Sequence, residues 1–164
     1  IDELTKLTNR RSILGRLESE AARAIRYDQP LTLILFDVDH MTQVNDVHGR
    51  EKGDEVLREV ARVAKEQVRS TDVAARYSGE EFLVLCPHTD RPSAQFLAER
   101  LRRRVAELSF TGDDEEFGVT VSVGLVTVTA QNEFDVEAII HAAEQALESA
   151  KTGGMNRVRL IEVP

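Results

Sequence analysis

Hydrophobic positions follow two spacings along the chain, one typical of helices and one typical of strands. Apolar residues recur three or four positions apart in four segments, which predicts helices at residues 12–27, 55–68, 92–108 and 134–151. Short apolar or alternating runs predict strands at Leu31–Val38, Val73–Arg76, 82–86, 118–129 and 157–163. Because Leu31–Val38 is apolar almost throughout, we expect it to lie at the centre of a sheet.

Helical and strand segments alternate without an internal repeat. This order predicts an α+β fold with a βαββαβ core, in which a central mixed or antiparallel sheet is flanked by helices. The 164 residues are the size of one domain, so we predict a single domain over residues 1–164. The acidic segment 111–116 is predicted to be a loop, and Gly153 with Gly154 to end the last helix.

Charge and composition narrow the function. The formal net charge is −8, which argues against a nucleic-acid-binding face but leaves room for a nucleotide held by a local cationic group or a metal. The only cysteine is Cys86, so no intrachain disulfide can form, and a cytoplasmic, reducing location is expected. No apolar run approaches 18 residues, so we expect no membrane contact by this domain.

Two carboxylates lie where the first strand ends. Asp37 and Asp39 alternate with apolar neighbours, which predicts that both face the same side. Ligands of open α/β sheets gather at this edge, so one of the two carboxylates could bind a metal. The alternative is that Asp39 caps the helix that follows. The sequence leaves both interpretations open.

A second pair of carboxylates stands on a predicted hairpin. Residues 77–81 read Tyr-Ser-Gly-Glu-Glu and lie between two short strands, which predicts a Ser-Gly turn. Glu80 and Glu81 on such a turn are most often simply solvated. If the hairpin lies beside Leu31–Val38, however, Asp37 and Glu80 would converge on a hard cation that also holds phosphate oxygens.

Two further pairs carry weaker signals. Asn45 and Asp54 could read the edge of a guanine, although helix capping is the simpler interpretation of each residue. Arg69 and Asp72, taken alone, read as a surface charge pair.

Six segments, in order, resemble the motifs of GGDEF domains, the diguanylate cyclase family. Residues 76–82 resemble the RYGG[DE]EF signature, and residues 36–46 resemble FDIDHFKxIND. The other four segments are residues 2–11, 53–57, 120–124 and 143–157. The resemblance covers essentially the whole chain. It implies a GGDEF-type fold and the C-terminal part of a longer bacterial signalling protein.

The resemblance also implies a reaction. Two GGDEF domains, each holding one GTP, meet as a homodimer and condense the nucleotides into c-di-GMP, releasing pyrophosphate with Mg²⁺ or Mn²⁺. Carried over by position, Asp37, Glu80 and the Val38 carbonyl would bind the metal, and Glu80 with Glu81 would be catalytic.

The remaining family positions would bind nucleotide. Asn45 and Asp54 would read guanine, Gly79 would let the backbone approach the substrate, and Lys151 would contact the triphosphate. The family's inhibitory site for c-di-GMP would consist of Arg69, Asp72 and Arg102.

Several positions depart from the family pattern. Ser78 replaces the first signature glycine, Thr42 a lysine and Met155 an arginine; Arg50 replaces a histidine, Glu148 a tyrosine and Lys6 a glycine. Losing the two cations at positions 42 and 155 would cost roughly 3–6 kcal/mol of phosphate binding.

These departures predict a degenerate domain. We expect weak or absent cyclase activity and a role in binding c-di-GMP. The alternative is an active, product-inhibited cyclase whose departures are compensated. A domain that binds no nucleotide is disfavoured, since Asp37, Glu80, Asn45 and Asp54 are all retained.

Overall fold

The computed structural model describes residues 1–132 and 135–162. Its helices are α1 Arg10–Arg26, α2 Met41–His48, α3 Arg50–Gln67, α4 Arg91–Ala106 and α5 Val136–Thr152. Its strands are β1 Leu31–Val38, β2 Val73–Arg76, β3 Glu81–Pro87, β4 Phe110–Thr111, β5 Glu116–Phe117, β6 Val121–Val128 and β7 Val158–Ile161. Every predicted element is present. The predicted start of the last helix, Phe134, and the predicted end of the last strand, Val163, lie outside the described residues.

The main sheet has five strands in the order β2-β3-β1-β6-β7. All neighbours pair antiparallel except β6 and β7, so the sheet is mixed, as predicted. Strand β1 is central and all eight of its residues are buried, which explains its apolar sequence. The predicted loop 111–116 was wrong at its ends, because β4 and β5 pair there as a small hairpin.

Helices cover both faces of the sheet. Alternation along β1 sends Ile34 and Phe36 towards α3 and α4, where Phe36 stacks on Phe82 with ring centroids 5.3 Å apart. Leu33 and Leu35 face α1 and α5 on the other side. The two faces therefore bury two separate apolar clusters, and the sheet edge beyond the end of β1 stays open for polar side chains.

Helix α5 lies unusually close to the sheet at Gly124. A side chain at this β6 position would collide with the backbone of Ala143, Ala146 and Leu147 on α5. Only glycine allows the approach. Since α5 carries Lys151 near its last turn, this contact fixes the end of the helix beside β1.

Among residues 1–132 and 135–162, no helix combines the length and apolar character that a membrane crossing requires.

Candidate functional site

The turn between β2 and β3 lies beside the end of β1, as predicted. Asp37 pairs with Glu81 across the two strands, and the Val38 N–H donates to the Glu80 carbonyl at 3.3 Å. The N–H groups of Tyr77 and Ser78 both donate to the Glu81 carbonyl and close the turn. Ser78 is not among the described residues with positive φ, so serine fits here without backbone strain.

A cavity of about 550 Å³ opens at this edge of the sheet. It collects every residue that the sequence predicted for metal and substrate, except Val38, whose backbone lies next to it. Its lining residues are Asp37, Met41, Asn45, Arg50, Asp54, Leu57, Arg76, Ser78, Gly79, Glu80, Glu81 and Lys151. The lining thus includes four carboxylates, three cationic side chains and two apolar side chains, those of Met41 and Leu57.

Asp37 is the most buried carboxylate of this cavity and forms an ion pair with Lys151. Burial raises the pKa of Asp37 to about 6, and the carboxylates of Glu80 and Asp39 push in the same direction against the opposing effect of Lys151. Burial works against the charge of Lys151, but its hydrogen bond to Asp37 raises the lysine pKa overall. The sequence predicted that Lys151 contacts a triphosphate. In the structure it instead pairs with Asp37, the residue predicted to bind the metal.

The other two cations of the cavity differ from each other. Arg76 donates to the Gly79 carbonyl at 3.1 and 2.7 Å and pairs with Asp2, so it holds the hairpin turn. Arg50 makes no hydrogen bond or ion pair within the described part of the chain, although it lines the cavity. Neither Thr42 nor Met155 lines it. The sequence could not show where Arg50 points, and the structure places it at the site.

Asn45 and Asp54 stand at the end of the cavity formed by α2 and α3. The capping interpretation was wrong for both residues, since Asn45 lies inside α2 and Asp54 inside α3. Gly49, with φ 87°, separates the two helices. A side chain at Gly53 would collide with the Asn45 amide, so glycine there lets Asn45 pack directly on α3. An amide and a carboxylate consequently face one opening.

Asp39 has a role that neither interpretation predicted. Its buried carboxylate accepts hydrogen bonds from Thr120 Oγ1 at 2.7 Å, Ser122 Oγ at 2.6 Å and the Asn156 N–H at 3.1 Å. The residue before α2 is His40, in the left-handed region, and no side chain caps this helix. Asp39 therefore neither caps α2 nor lines the Asp37 cavity; it ties the end of β1 to β6 and to the turn before β7.

Arg69 and Asp72 form a second polar group, at the other end of β3. The Asp72 side chain is fully buried and accepts from the Arg69 backbone N–H at 2.9 Å, from Nε at 3.2 Å and from Nη2 at 3.1 Å. Arg69 Nη2 also donates to the Pro87 carbonyl and to Thr89. The hydrogen bond to Asp72 raises the pKa of Arg69. Several hydrogen bonds therefore fix the relative position of the two side chains, unlike the surface charge pair that the sequence alone suggested.

The structure does not bring Arg102 to this group. Its guanidinium contacts Glu99 on the same helix and donates to Asn156 Oδ1 at 2.9 Å. Arg100, on the same helix, donates through Nη2 to the carbonyl of Gln67, two residues before Arg69, at 2.8 Å. The Arg100 Nε is buried without a partner within the described residues. The sequence alone could not show this difference, because it depends on the rotation of α4.

The carboxylates of Asp37, Glu80 and Glu81 are oxygen ligands of the kind that Mg²⁺ and Mn²⁺ prefer. Within the described residues, no three His, Cys, Asp or Glu side chains are arranged to hold a metal by themselves. A divalent cation here would complete its shell with backbone, water or phosphate oxygens, as Mg²⁺ commonly does. The residues therefore fit a metal shared with a nucleotide.

The chain was compared with known families and structures. The family model for the diguanylate cyclase GGDEF domain matches residues 1–157. The response regulator PleD of Caulobacter vibrioides is 40% identical over 159 residues, which are 96% of this chain and 35% of PleD. The chain thus spans about a third of the length of this curated relative.

Solved structures agree with the family match. The GGDEF domain of DgcB from Caulobacter crescentus, solved in complex with c-di-GMP, has a TM-score of 0.92 and 30% identity, covering 97% of this chain and 91% of that one. The active GGEEF domain of a diguanylate cyclase from Vibrio cholerae has a TM-score of 0.87 and 33% identity, covering 94% and 97%. The fold is therefore that of a known family.

Proposed function

The chain belongs to the GGDEF family of diguanylate cyclase domains, and from this we propose that it is a c-di-GMP signalling domain that binds the dinucleotide better than it makes it. The observation that carries the proposal is the Arg69–Asp72 pair, in which Asp72 accepts three hydrogen bonds from the backbone and guanidinium of Arg69. The related DgcB domain was solved in complex with c-di-GMP. We extend that ligand to this chain as part of the proposal.

The chemistry at Arg69 suits a cyclic dinucleotide. Asp72 orients the guanidinium through Nε and Nη2, while more than half of the arginine side chain stays exposed. A guanidinium can donate to a phosphate or to the O6 and N7 edge of guanine. In Arg69 the Nη1 group has no partner among the described residues, so it is the donor available to a ligand. Arg100 donates to the carbonyl of Gln67, two residues before Arg69, and would offer a second guanidinium. We therefore place Arg100, rather than Arg102, in this binding group.

The cavity beside β1 would hold GTP for any cyclase activity. Asp54 would accept from the ring N–H and exocyclic amine of guanine, and Asn45 would bind the same edge. Asp37 and Glu80, with the Val38 carbonyl and with support from Glu81, would hold Mg²⁺ or Mn²⁺. When bound, such a cation stabilises negative charge on the phosphates. Since Gly79 leaves open space, a nucleotide can approach the turn backbone.

Catalysis would need two copies of the chain. Each copy presents one GTP, and the 3′-hydroxyl of one nucleotide attacks the α-phosphate of the other, displacing pyrophosphate. The departing group gains negative charge, which nearby cations must meet. Lys151 would have to leave Asp37 for the triphosphate as the metal takes its place on that carboxylate.

The charge balance of the cavity supports low activity. Thr42 and Met155 supply no cation, Arg76 is committed to the hairpin turn, and Lys151 is committed to Asp37. Each missing charge-assisted hydrogen bond costs about 1.5–3 kcal/mol. Arg50 offsets part of this deficit because it lines the cavity without a protein partner in the described residues. We therefore expect slow turnover rather than a complete loss.

An active, product-inhibited cyclase is the second candidate. Every acidic position of the signature is retained, and serine fits the first signature position without strain. The related Vibrio cholerae domain carries a GGEEF signature and was described as active. Only the cation deficit separates the two candidates, so activity has to be measured.

One pair of measurements tests the proposal. Purified protein is incubated with GTP and Mg²⁺ and the products are separated by chromatography, while c-di-GMP is titrated calorimetrically into wild type and Arg69→Ala. We expect little product, clear binding by wild type and strongly weakened binding by the variant. Arg62→Ala removes an exposed arginine paired with Glu59 and Glu66 on α3 and is the matched control. Rapid conversion of GTP would favour the second candidate; absent binding would reject the first.

A further inference from the structure

Lys6 adopts a backbone conformation that lysine rarely takes. Its φ is 63°, in the left-handed region where the Cβ of an L-residue crowds the backbone. The turn around it is firmly set: the Lys6 N–H donates to the Asp2 carbonyl at 2.8 Å, and Asp2 N–H donates to the Leu7 carbonyl at 2.7 Å. Glycine would adopt the same conformation without strain. A costly residue at a defined position suggests that its side chain has a function.

The Lys6 side chain borders a groove of about 330 Å³ next to Arg69. The groove runs between the N-terminal segment, the end of α3 and the start of β2. Its lining residues are Lys6, Leu7, Thr8, Lys65, Val68, Arg69, Ser70, Asp72, Val73 and Ala74. Three cations and one carboxylate therefore share the groove, on a chain whose formal net charge is −8.

The positive charge of the groove is available to a ligand. Asp72 is already neutralised by Arg69. Neither Lys6 nor Lys65 pairs with a carboxylate in the part of the chain that the structure describes, so two ammonium groups face the groove without a counter-charge. The hydroxyls of Thr8 and Ser70 add donors for an oxyanion. A phosphate group fits this combination of cations and hydroxyls.

We propose that Lys6, with Lys65, binds a phosphate of the dinucleotide held at Arg69, so that the groove extends that site. The identity of the ligand rests on the function proposed above, whereas the anion-binding character of the groove rests on its own residues. The Asp2–Leu7 turn, closed by two backbone hydrogen bonds, holds the strained lysine in place.

Replacing Lys6 by glycine should lower the affinity for c-di-GMP and raise the melting temperature. A lysine with only a structural role would not give this combination. Lys6→Gly removes the charge and the strain together, so affinity for c-di-GMP should fall about three- to tenfold. The melting temperature should rise by about 2–4 °C. Lys6→Ala should lose affinity without this gain in stability, because the Cβ and its strain remain. Lys6→Arg should keep affinity near that of wild type.

The experiment is calorimetric titration of c-di-GMP into wild type and these variants, with thermal unfolding followed in parallel. Lys52→Ala, which removes a lysine paired with Glu55 outside the groove, is the matched control and should leave affinity unchanged. If Arg69→Ala loses binding but Lys6→Gly and Lys6→Ala bind like wild type, the inference is wrong while the proposed function stands.

A second ligand, inorganic pyrophosphate, distinguishes failure of the proposed function from failure of the anion site at Lys6. If wild type does not bind c-di-GMP, the proposed ligand fails, and inorganic pyrophosphate is then titrated while amide resonances are followed by NMR. Saturable shifts at Lys6 and Lys65 that disappear in Lys6→Gly would support an anion site in the groove. Their absence would overturn it.

Discussion

The two candidate nucleotide sites lie at opposite ends of strand β3 and are built in opposite ways. At the end beginning with Glu81, four carboxylates gather around a cavity in which two of three cations are engaged by the protein. At the end reached by Pro87, one buried carboxylate and one arginine satisfy each other through three hydrogen bonds. The cavity at the Glu81 end has more carboxylates than cations, whereas at the Pro87 end the charges of Arg69 and Asp72 balance.

This difference separates binding from catalysis. In the Arg69–Asp72 pair the two charges already balance each other. Ligand binding there needs no additional cation, so it tolerates substitutions in the other site. A cavity with excess carboxylate needs added cations before it can hold a triphosphate, and substitutions that remove cations act directly on it. The family resemblance assigns the departures at Thr42 and Met155 to the first site, although neither side chain lines its cavity. Binding can consequently survive where synthesis is weakened.

The largest expected effect comes from restoring the missing cations. Neither position lines the cavity, so only long cationic side chains would reach a bound triphosphate from there. Thr42→Lys with Met155→Arg should raise GTP turnover by up to about two to four decades if both charge-assisted contacts form. Adding Ser78→Gly should help further, because it frees the Glu81 carboxylate from its hydrogen bond with the Ser78 hydroxyl. The gains should be more than additive, because the groups would grip one triphosphate. Turnover is measured by product chromatography with Arg69→Ala present, so that bound product cannot mask the increase.

Two results would contradict this account of the cavity. Brisk turnover by the protein without repair would show that Arg50 and Lys151 already suffice. No gain from the triple repair would show that charge is not what limits the rate. As a control, Glu80→Gln in the repaired protein should abolish the gain, because the divalent cation is still required.

The next largest effect is expected on c-di-GMP binding at the Arg69–Asp72 pair. Arg69→Ala should weaken c-di-GMP binding by about 10- to 150-fold, the value of a charge-assisted contact. Arg69→Lys should weaken it almost as much, because an ammonium cannot keep both side-chain hydrogen bonds to Asp72 and also donate to the ligand as Nη1 can. Calorimetry measures both. Unchanged affinity in both variants would move the ligand to the cavity beside β1 and remove the contrast between the two ends of β3.

The sequence predicted the fold well and the two sites unevenly. The apolar run Leu31–Val38 identified the central strand, because a fully buried strand leaves little alternation. Motif resemblance identified the cavity residues, but contacts between distant residues stayed hidden. The ion pair of Lys151 with Asp37 joins residues 114 positions apart, counting from 37 to 151. Neither spacing nor charge in the sequence indicates such a partner.

The Arg69 site shows a second limit, that of helix rotation. Residues two positions apart on a helix point to nearly opposite sides, so an error of two positions changes the partner completely. Arg102 reaches Asn156, while Arg100 reaches the carbonyl of Gln67. A motif that matches only an arginine somewhere on α4 cannot distinguish them.

A smaller effect tests this choice directly. Arg100→Ala should weaken c-di-GMP binding by about tenfold, since the second guanidinium contributes at the edge of the site. Arg102→Ala should change affinity by less than about twofold, because its guanidinium is held by Glu99 and Asn156. The two variants serve as controls for each other in the same titration. A larger loss in Arg102→Ala would restore the residue that the sequence suggested.

The last expected effect is on stability rather than on binding or turnover, and it appears as a pH dependence caused by the buried Asp37 carboxylate. Burial raises the pKa of Asp37 to about 6 in the folded protein, well above its ordinary value. Between about pH 4 and 6 the folded carboxyl therefore keeps a proton that the unfolded chain has lost. Its contribution to the free energy of unfolding is largest at low pH and is lost as pH rises through this window.

Asp37→Asn cannot lose this proton, so the free energy of unfolding of the variant minus that of wild type should rise with pH by about 3 kcal/mol and level off above pH 6. Urea unfolding at several pH values in EDTA measures it. Lys151, about a third exposed, can reach water when its partner becomes neutral, which keeps the cost of the substitution small. Asp46→Asn, exposed on α2, is the matched control. A flat difference would mean that Lys151 fully compensates the buried charge, and the cavity would then be as complete as the Arg69 site.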